Sequence, residues 1–142
     1  MNREPLVYQY EIDIHFSFLD HYNHVNAKHY LDLVASSRLI YLEREMKMPL
    51  SKLMELGVGF YLKTAIQNFK RPIVGLQRVL IRSKVMAIRD AYLDVSFEIV
   101  DLASGKIYAD GTLEYVVMNL KTHRPSPPPL EIVDLFFSKA ST

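Results

Sequence analysis

Cysteine is absent from the 142 residues, which at once excludes a disulfide scaffold, a thiolate nucleophile and a Cys-ligated zinc. An excess of either charge is missing too. Seventeen basic residues stand against sixteen acidic ones, so no broad field draws the chain to nucleic acid or to an anionic membrane. Phosphate recognition would have to come from a local cluster, since there is no Gly-rich phosphate loop either. No run approaches the ~20 apolar residues that span a bilayer. The N-terminal MNREPLVYQYE also lacks the apolar segment of a signal peptide. These absences predict a soluble, cytoplasmic protein with no nucleic acid and no membrane among its partners.

What is present begins with length. It predicts one domain over residues 1–142, large enough to bury about two thirds of the surface its unfolded form exposes, and no internal repeat or second domain is visible. The stretch from Phe16 to Met46 reads FSFLDHYNHVNAKHYLDLVASSRLIYLEREM. In it one acid, Asp20, and a short polar loop run into the longest helical pattern of the chain. Asn26 is a suitable N-cap, which places the helix start near Ala27, and neither Gly nor Pro interrupts the following turns. On a helical wheel His29, Asp32, Ser36, Glu43 and Lys47 share an arc of roughly 100°, while Tyr30, Leu31, Leu33, Val34, Ala35, Ile40, Tyr41 and Leu42 occupy most of the remainder. Such a helix is expected to be covered on most sides, and only sheet is left to cover it.

The rest of the chain alternates as strands do. Tyr8, Tyr10, Ile12, Ile14 and Phe16 share one face of a first strand. Phe60, Leu62, Thr64 and Ile66 share a face of the second, and Val79, Ile81, Ser83, Val85 and Ala87 a face of the third. After a turn at Arg89-Asp90, Leu93, Val95, Phe97 and Ile99 line the fourth. Ala103-Ser104-Gly105 leads into the last, Lys106 to Asn119. Pro125 to Pro129 precede a short amphipathic segment with Leu130, Val133 and Phe137 at helical spacing. The order predicts an α+β domain: a five-stranded antiparallel sheet, drawn as a meander, with the long helix on its concave face. Its free edges invite pairing with a second copy.

Several residues carry two readings on residue chemistry alone. Asp20 either caps a turn, accepting from the backbone of Tyr22 or Asn23, or does chemistry beside a helix N-terminus whose free amides favour negative charge. His24 either holds that loop or serves as a second acid or base. Tyr30 reads first as core, and Asn26 as a cap. Arg38 lies on the apolar arc, where an unpaired charge is costly, so a partner carboxylate is expected, from this chain or across a dimer interface. Arg78, Arg82 and Lys84, with Lys70 and Arg71 at a nearby strand end, are either a phosphate cluster or an ordinary solvated face. Glu11, Asp13 and His15 form a polar strand face, not a metal site, and His29 and His123 are expected to be exposed.

The run Phe16-Ser17, Asp20, His24-Val25-Asn26, Tyr30-Leu31 and Arg38 resembles the F-S/E-x-x-D-x-x-G-H-V-N-N-x-x-Y-L motif of the hotdog-fold thioesterases, in the group of 4-hydroxybenzoyl-CoA and acyl-CoA thioesterases. Phe69-Lys70-Arg71-Pro72 sits where that family carries a Y/F-x-x-P element. Ala109-Asp110-Gly111-Thr112 and the residues to Leu120 resemble its last strand, so the likeness runs from about Val7 to Pro129. Three positions depart: Leu19 stands for Thr, Asn23 for Gly and Ala27 for the second Asn. Asn tolerates a left-handed backbone, so the loop shape is expected to persist, and the departures bear on substrate choice.

The resemblance implies a hotdog fold and an acyl-CoA thioesterase that uses neither a cofactor nor a metal. In it the Ala27 N–H polarises the thioester carbonyl and Asp20 acts as general base or as nucleophile through an anhydride, with His24 beside it. Tyr22, Asn26, Tyr30, Phe60 and Phe69 would meet the substrate, and Lys70, Arg71 and Arg82 its phosphates. Acyl-CoA, or acyl carrier protein, is the implied partner, and a homodimer or homotetramer with the active site at the dimer interface the implied assembly. Two other readings share the fold. One is a non-catalytic acyl-CoA or acyl-carrier-protein binder, prompted by the missing Thr and Gly. The other is an enoyl-CoA hydratase or dehydratase, to which an acid and a His in one loop are less suited.

Overall fold

The computed structural model describes residues 3–139. The chain opens with β1 (Tyr8–Asp13), makes a 3-10 turn at Phe16–Phe18, rounds the Asp20 loop and enters α1 (Tyr30–Arg44) through a second 3-10 turn, Ala27–His29. Next come α2 (Leu50–Glu55), β2 (Val58–Phe69), β3 (Arg78–Arg89), β4 (Tyr92–Asp101) and β5 (Ile107–Asn119). A two-residue β6 (Arg124–Pro125) and α3 (Leu130–Phe136) follow. Pro49 and Pro129 sit extended at the N-caps of α2 and α3, where a missing N–H costs a helix nothing. Asn26 caps as its composition predicts, its side-chain oxygen accepting from the Lys28 N–H at 3.1 Å.

The strands form one antiparallel sheet in the order β1-β3-β4-β5-β2, with β6 paired to β5. This corrects the meander. Of the five long strands only β3, β4 and β5 follow one another by hairpins, whereas β2 pairs with β5 at the far edge and its link to β3, residues 70–77, crosses between them. Alternation marks the buried face of a strand but not its neighbour, and this eight-residue link containing Pro72 and Gly75 is too long for a tight hairpin.

Two bulges shift the inward faces. One in β3 makes Ala87 oppose Asp94 and Ile88 oppose Leu93, so Ile88 joins the core in place of Ala87. One in β2 between Leu62 and Thr64 leaves Ile66 exposed and Gln67 partly buried. The β3–β4 turn is Asp90-Ala91, one residue later than predicted, with Asp90 at φ 57.

The core joins Val79, Ile81 and Val85 of β3, Leu93, Val95, Phe97 and Ile99 of β4, and Leu113 and Val117 of β5 to Leu33, Val34 and Leu42 of α1. Each such side chain contributes about 1.5–3 kcal/mol by leaving water. The buried positions of α1 are Tyr30, Leu33, Val34, Ser37, Arg38 and Leu42, a single stripe at helical spacing. The flanking Leu31, Ala35, Ile40 and Tyr41 are partly buried, so the expected apolar arc is covered, and Leu39 is left exposed. At the C-terminal end Ile132, Leu135 and Phe136 face inward and Leu130 does not. Phe137 leaves the helix to bridge Pro5, which selects a different stripe from the one the spacing suggested.

Candidate active site

Asp20 opens a tight loop. Its N–H donates to the His24 carbonyl at 2.8 Å, and its own carbonyl accepts from the Asn23 N–H at 3.0 Å. Asn23 takes the left-handed conformation, φ 63, in the position where the family motif has Gly. One carboxylate oxygen, Oδ1, accepts from the Tyr22 N–H at 2.8 Å and the His24 N–H at 3.2 Å. The Asp20 side chain is only partly exposed. The Tyr22 N–H holds the carboxyl below the ordinary carboxylate range. Partial desolvation opposes this, while the His24 N–H and the His24 and His21 imidazoles lower it further. Asp20 is thus an anion at neutral pH, with one oxygen occupied by the loop and Oδ2 accepting from nothing among the described residues.

The returning strand of the loop leads straight into the helix. Leu19 bridges Val25, and the Asn26 N–H donates to the Phe18 carbonyl at 2.8 Å. Ala27 is the first residue of the following turn, and its N–H finds no acceptor among the described residues, as the first amides of a helix do not.

The loop is pinned from outside by the crossover. The Val25 N–H donates to the Ile73 carbonyl at 2.8 Å, His24 bridges Val74, and the Gly75 N–H donates to the Asn23 carbonyl at 2.8 Å. No residue of this strap was singled out from the sequence for this role. The signal available was Gly75, three residues after Pro72, and it takes the left-handed φ of 70.

The other predicted residues separate into groups. Tyr22 is 71% exposed at the loop tip, against His21. Tyr30 is 3% exposed and meets Phe69 edge to face at 5.0 Å, so β2 ends beside the start of α1. Lys70 and Arg71 lie at that same end, both backbone amides donating to the Tyr108 carbonyl. Lys70 pairs with Asp110 at 3.2 Å, and Arg71 is exposed. Arg82 lies mid-sheet, opposite Gln9 and paired with Glu98 at 2.7 Å, while Arg78 pairs with Asp13. Three of the five proposed phosphate-binding cations are therefore already matched by acids. Phe60, at the other end of β2, packs edge to face on Phe136. His29 is not free on the surface as expected, because it stacks on Phe18 at 4.5 Å.

A model of the thioesterase-like superfamily matches residues 14–136. The chain belongs to that superfamily. No curated protein matched the sequence. Among solved structures, the Escherichia coli protein YbaW is 24% identical at a TM-score of 0.74, over 84% of this chain and 88% of its own. The 1,4-dihydroxy-2-naphthoyl-CoA thioesterase Slr0204 of Synechocystis is 17% identical at 0.80, over 89% and 93%. SAV2348 of Staphylococcus aureus, solved in complex with CoA, is 11% identical at 0.81, over 92% and 82%. The chain is thus a thioester hydrolase with the hotdog architecture.

Two cavities of this thioesterase chain lie away from its Asp20 loop. One, about 510 Å³, lies over the outer sheet face around Arg82, Glu98 and Asp110. Another, about 430 Å³ and mainly apolar, runs between α1, α2 and the first residues of β2. Arg38 sits in its wall, 8% exposed, with Nη1 donating to Ser83 Oγ at 2.9 Å. The expected partner carboxylate is not found among the described residues. Among the described residues no acid reaches the guanidinium, which instead lies 4.9 Å from the Tyr8 ring centroid and 5.9 Å from that of Phe136. No described helix is long and apolar enough to cross a membrane.

Proposed function

We propose that this thioesterase hydrolyses an acyl-CoA to the free acid and CoA, with Asp20 as the catalytic carboxylate and the Ala27 N–H as donor to the thioester oxygen. One observation carries the reading. Asp20 is ionised and held through a single oxygen in the loop that leads into a helix start whose Ala27 amide is unclaimed among the described residues. Preorganised donors of this kind stabilise the oxyanion, and a positioned carboxylate activates water or attacks the carbonyl itself. His24 serves as a positioning residue, since its backbone closes both sides of the Asp20 loop. The CoA-bound SAV2348 supports CoA as the thiol carrier. Arg71, exposed at the same end of β2, is the cation we assign to its phosphates, and the cytoplasm is where we place the reaction.

The site is completed by a second copy. β2 is a twelve-residue edge strand that exposes Tyr61, Leu62, Ile66 and Phe69, and an open apolar edge of that length pairs readily with its own kind. Two such strands meeting antiparallel about a two-fold axis bring the first residues of the partner's β2 beside Phe69, and so beside Tyr30 and the start of α1. That arrangement supplies the wall that the Asp20 loop lacks in one chain.

The test uses two variants. Asp20→Asn keeps a side-chain oxygen for the Tyr22 and His24 amides and removes the charge, whereas Asp20→Ala removes both. Thiol release from a panel of acyl-CoAs should fall about 10²–10⁴-fold in each, with the Asn variant unchanged by circular dichroism. A folded Asp20→Asn protein that turns over a responsive substrate at the wild-type rate eliminates the mechanism.

A further inference from the structure

The apolar groove holds a charge that the proposed hydrolysis does not use. Its walls include Leu39, Leu42, Leu53, Phe60 and Phe136, and among them lie the polar side chains of Arg38, Tyr115 and the largely exposed Tyr61. The guanidinium has several N–H donors, and Ser83 accepts from one nitrogen. Tyr8 and Phe136 offer ring faces, which attract the cation but do not satisfy its in-plane N–H groups. Every sealed side-chain nitrogen among the described residues has a partner, so the unpaired edge of the guanidinium is open to the groove. Burial raises the Tyr115 hydroxyl's pKa and keeps it a donor. Arg38 and Tyr115 therefore line one groove with no carboxylate bonded to either among the described residues.

We propose that the acyl group taken by this thioesterase ends in a carboxylate, which Arg38 and Tyr115 bind inside the groove while the chain's methylenes lie against Leu39, Leu42, Leu53 and Phe60. The inference rests on the acyl-CoA reading above. Charge complementarity selects the occupant. A buried cation without an anion is disfavoured, a carboxylate matches the guanidinium fork with two parallel hydrogen bonds, and a methyl terminus would leave both donors unpaired. The groove volume of about 430 Å³ falls in the range of small-molecule sites. With β2 paired to β2, the groove of one protomer opens toward the Asp20 loop of its partner. One chain end then faces the hydrolytic carboxylate and the other Arg38.

Binding and hydrolysis are measured separately so that the two readings can fail separately. Isothermal titration of Asp20→Asn with octanoyl-CoA and with octanedioyl-CoA, and with the ten- and twelve-carbon pairs, compares methyl with carboxylate termini at equal length. The carboxylate-ended member should bind about 10–100-fold more tightly at one length or more, the worth of a charged hydrogen-bond pair. Arg38→Met in the same background should erase the preference and Arg38→Lys keep part of it. Wild-type protein should show the same preference in kcat/KM by thiol release.

Equal or tighter binding of the methyl-ended chain at every length overturns the proposal, as does a preference that survives Arg38→Met, or binding of neither. The first of these is also the result expected if a carboxylate of a second copy occupies Arg38. Full hydrolytic activity in Asp20→Asn would remove the Asp20 mechanism and leave the chain-end comparison standing. Should Arg38→Met not fold, the wild-type preference and its reduction in Tyr115→Phe decide.

Discussion

Replacing Gly111 by alanine tests the β2–β5 pairing on which both the groove wall and the proposed dimer edge depend. Gly111 lies in β5 opposite Gln67. A Cβ built there falls 1.9 Å from the carbonyl oxygen of Ile66 and 2.9 Å from both the Ile66 carbonyl carbon and Phe97 Cε1. Unstrained heavy-atom contacts lie near 3.5 Å, so the two strands must part by roughly 1.6 Å, the difference between 3.5 and 1.9. The obstacle is backbone, and no rotamer change relieves it. Ladder hydrogen bonds near 2.9 Å do not survive such a shift. Losing two or three of them at about 1 kcal/mol net each, with about 1–3 kcal/mol of overpacking around Phe97, gives about 3–6 kcal/mol. At roughly 3 °C per kcal/mol for a domain of this size, the midpoint of thermal unfolding should fall by about 9–18 °C. Urea titration followed by circular dichroism measures the loss, with wild type and variant held at one protein concentration because association makes the midpoint concentration-dependent. Gly59→Ala is the internal control: its Cβ meets Leu120 Cδ2 at 2.9 Å, a flexible side-chain tip, so the cost should stay below about 1.5 kcal/mol. If Gly111→Ala lies within about 1 kcal/mol of wild type, β2 does not pair with β5 in this register.

The pH profile follows from the depressed Asp20 carboxyl. With its folded pKa below its unfolded one, the group stabilises the fold above the ordinary value near 3.9 and loses that contribution as pH falls through the folded value. Asp20 remains ionised across the same range, so kcat/KM should show no acid limb between about pH 5 and 7, and a limb centred there would assign the base to another group. Ile66→Lys, placing a charge on the exposed middle of β2, should yield a monomer by analytical ultracentrifugation and abolish thiol release; an active dimer contradicts edge pairing through β2. At Asn23, φ 63 sets a clear order by urea denaturation: alanine should cost about 1 kcal/mol, and glycine should equal or exceed asparagine. Equal stability of the alanine and glycine variants would remove the strain argument.

Legibility in the sequence tracked how many faces of an element are buried. β3 and β4 bury one face each against α1, so their alternation identified Val79, Ile81, Leu93, Val95, Phe97 and Ile99 correctly. β2 buries little of either face, and with a bulge resetting its phase at Lys63 its pattern carried neither its neighbour nor its inward side. The same limit applies to Arg38. A charge on an apolar arc is visible in sequence, but whether an acid meets it depends on which strands pass overhead. Here these are β1 and β3, which bring Tyr8 and Ser83 and no carboxylate.

Asp20 shows a different limit. In the sequence turn-capping and catalysis are alternatives for Asp20, but a carboxylate has two oxygens. Capping consumes one, fixes the side chain against the loop and leaves the second without a partner among the described residues. On the proposed mechanism the turn is then what positions the reactive oxygen, and the two readings are compatible within one side chain. It follows that Asp20→Asn and Asp20→Ala should lose similar activity while only the alanine loosens the loop, which amide hydrogen exchange at Tyr22 and His24 reads directly. Equal protection of those amides in both variants would mean that the carboxylate does not hold the loop.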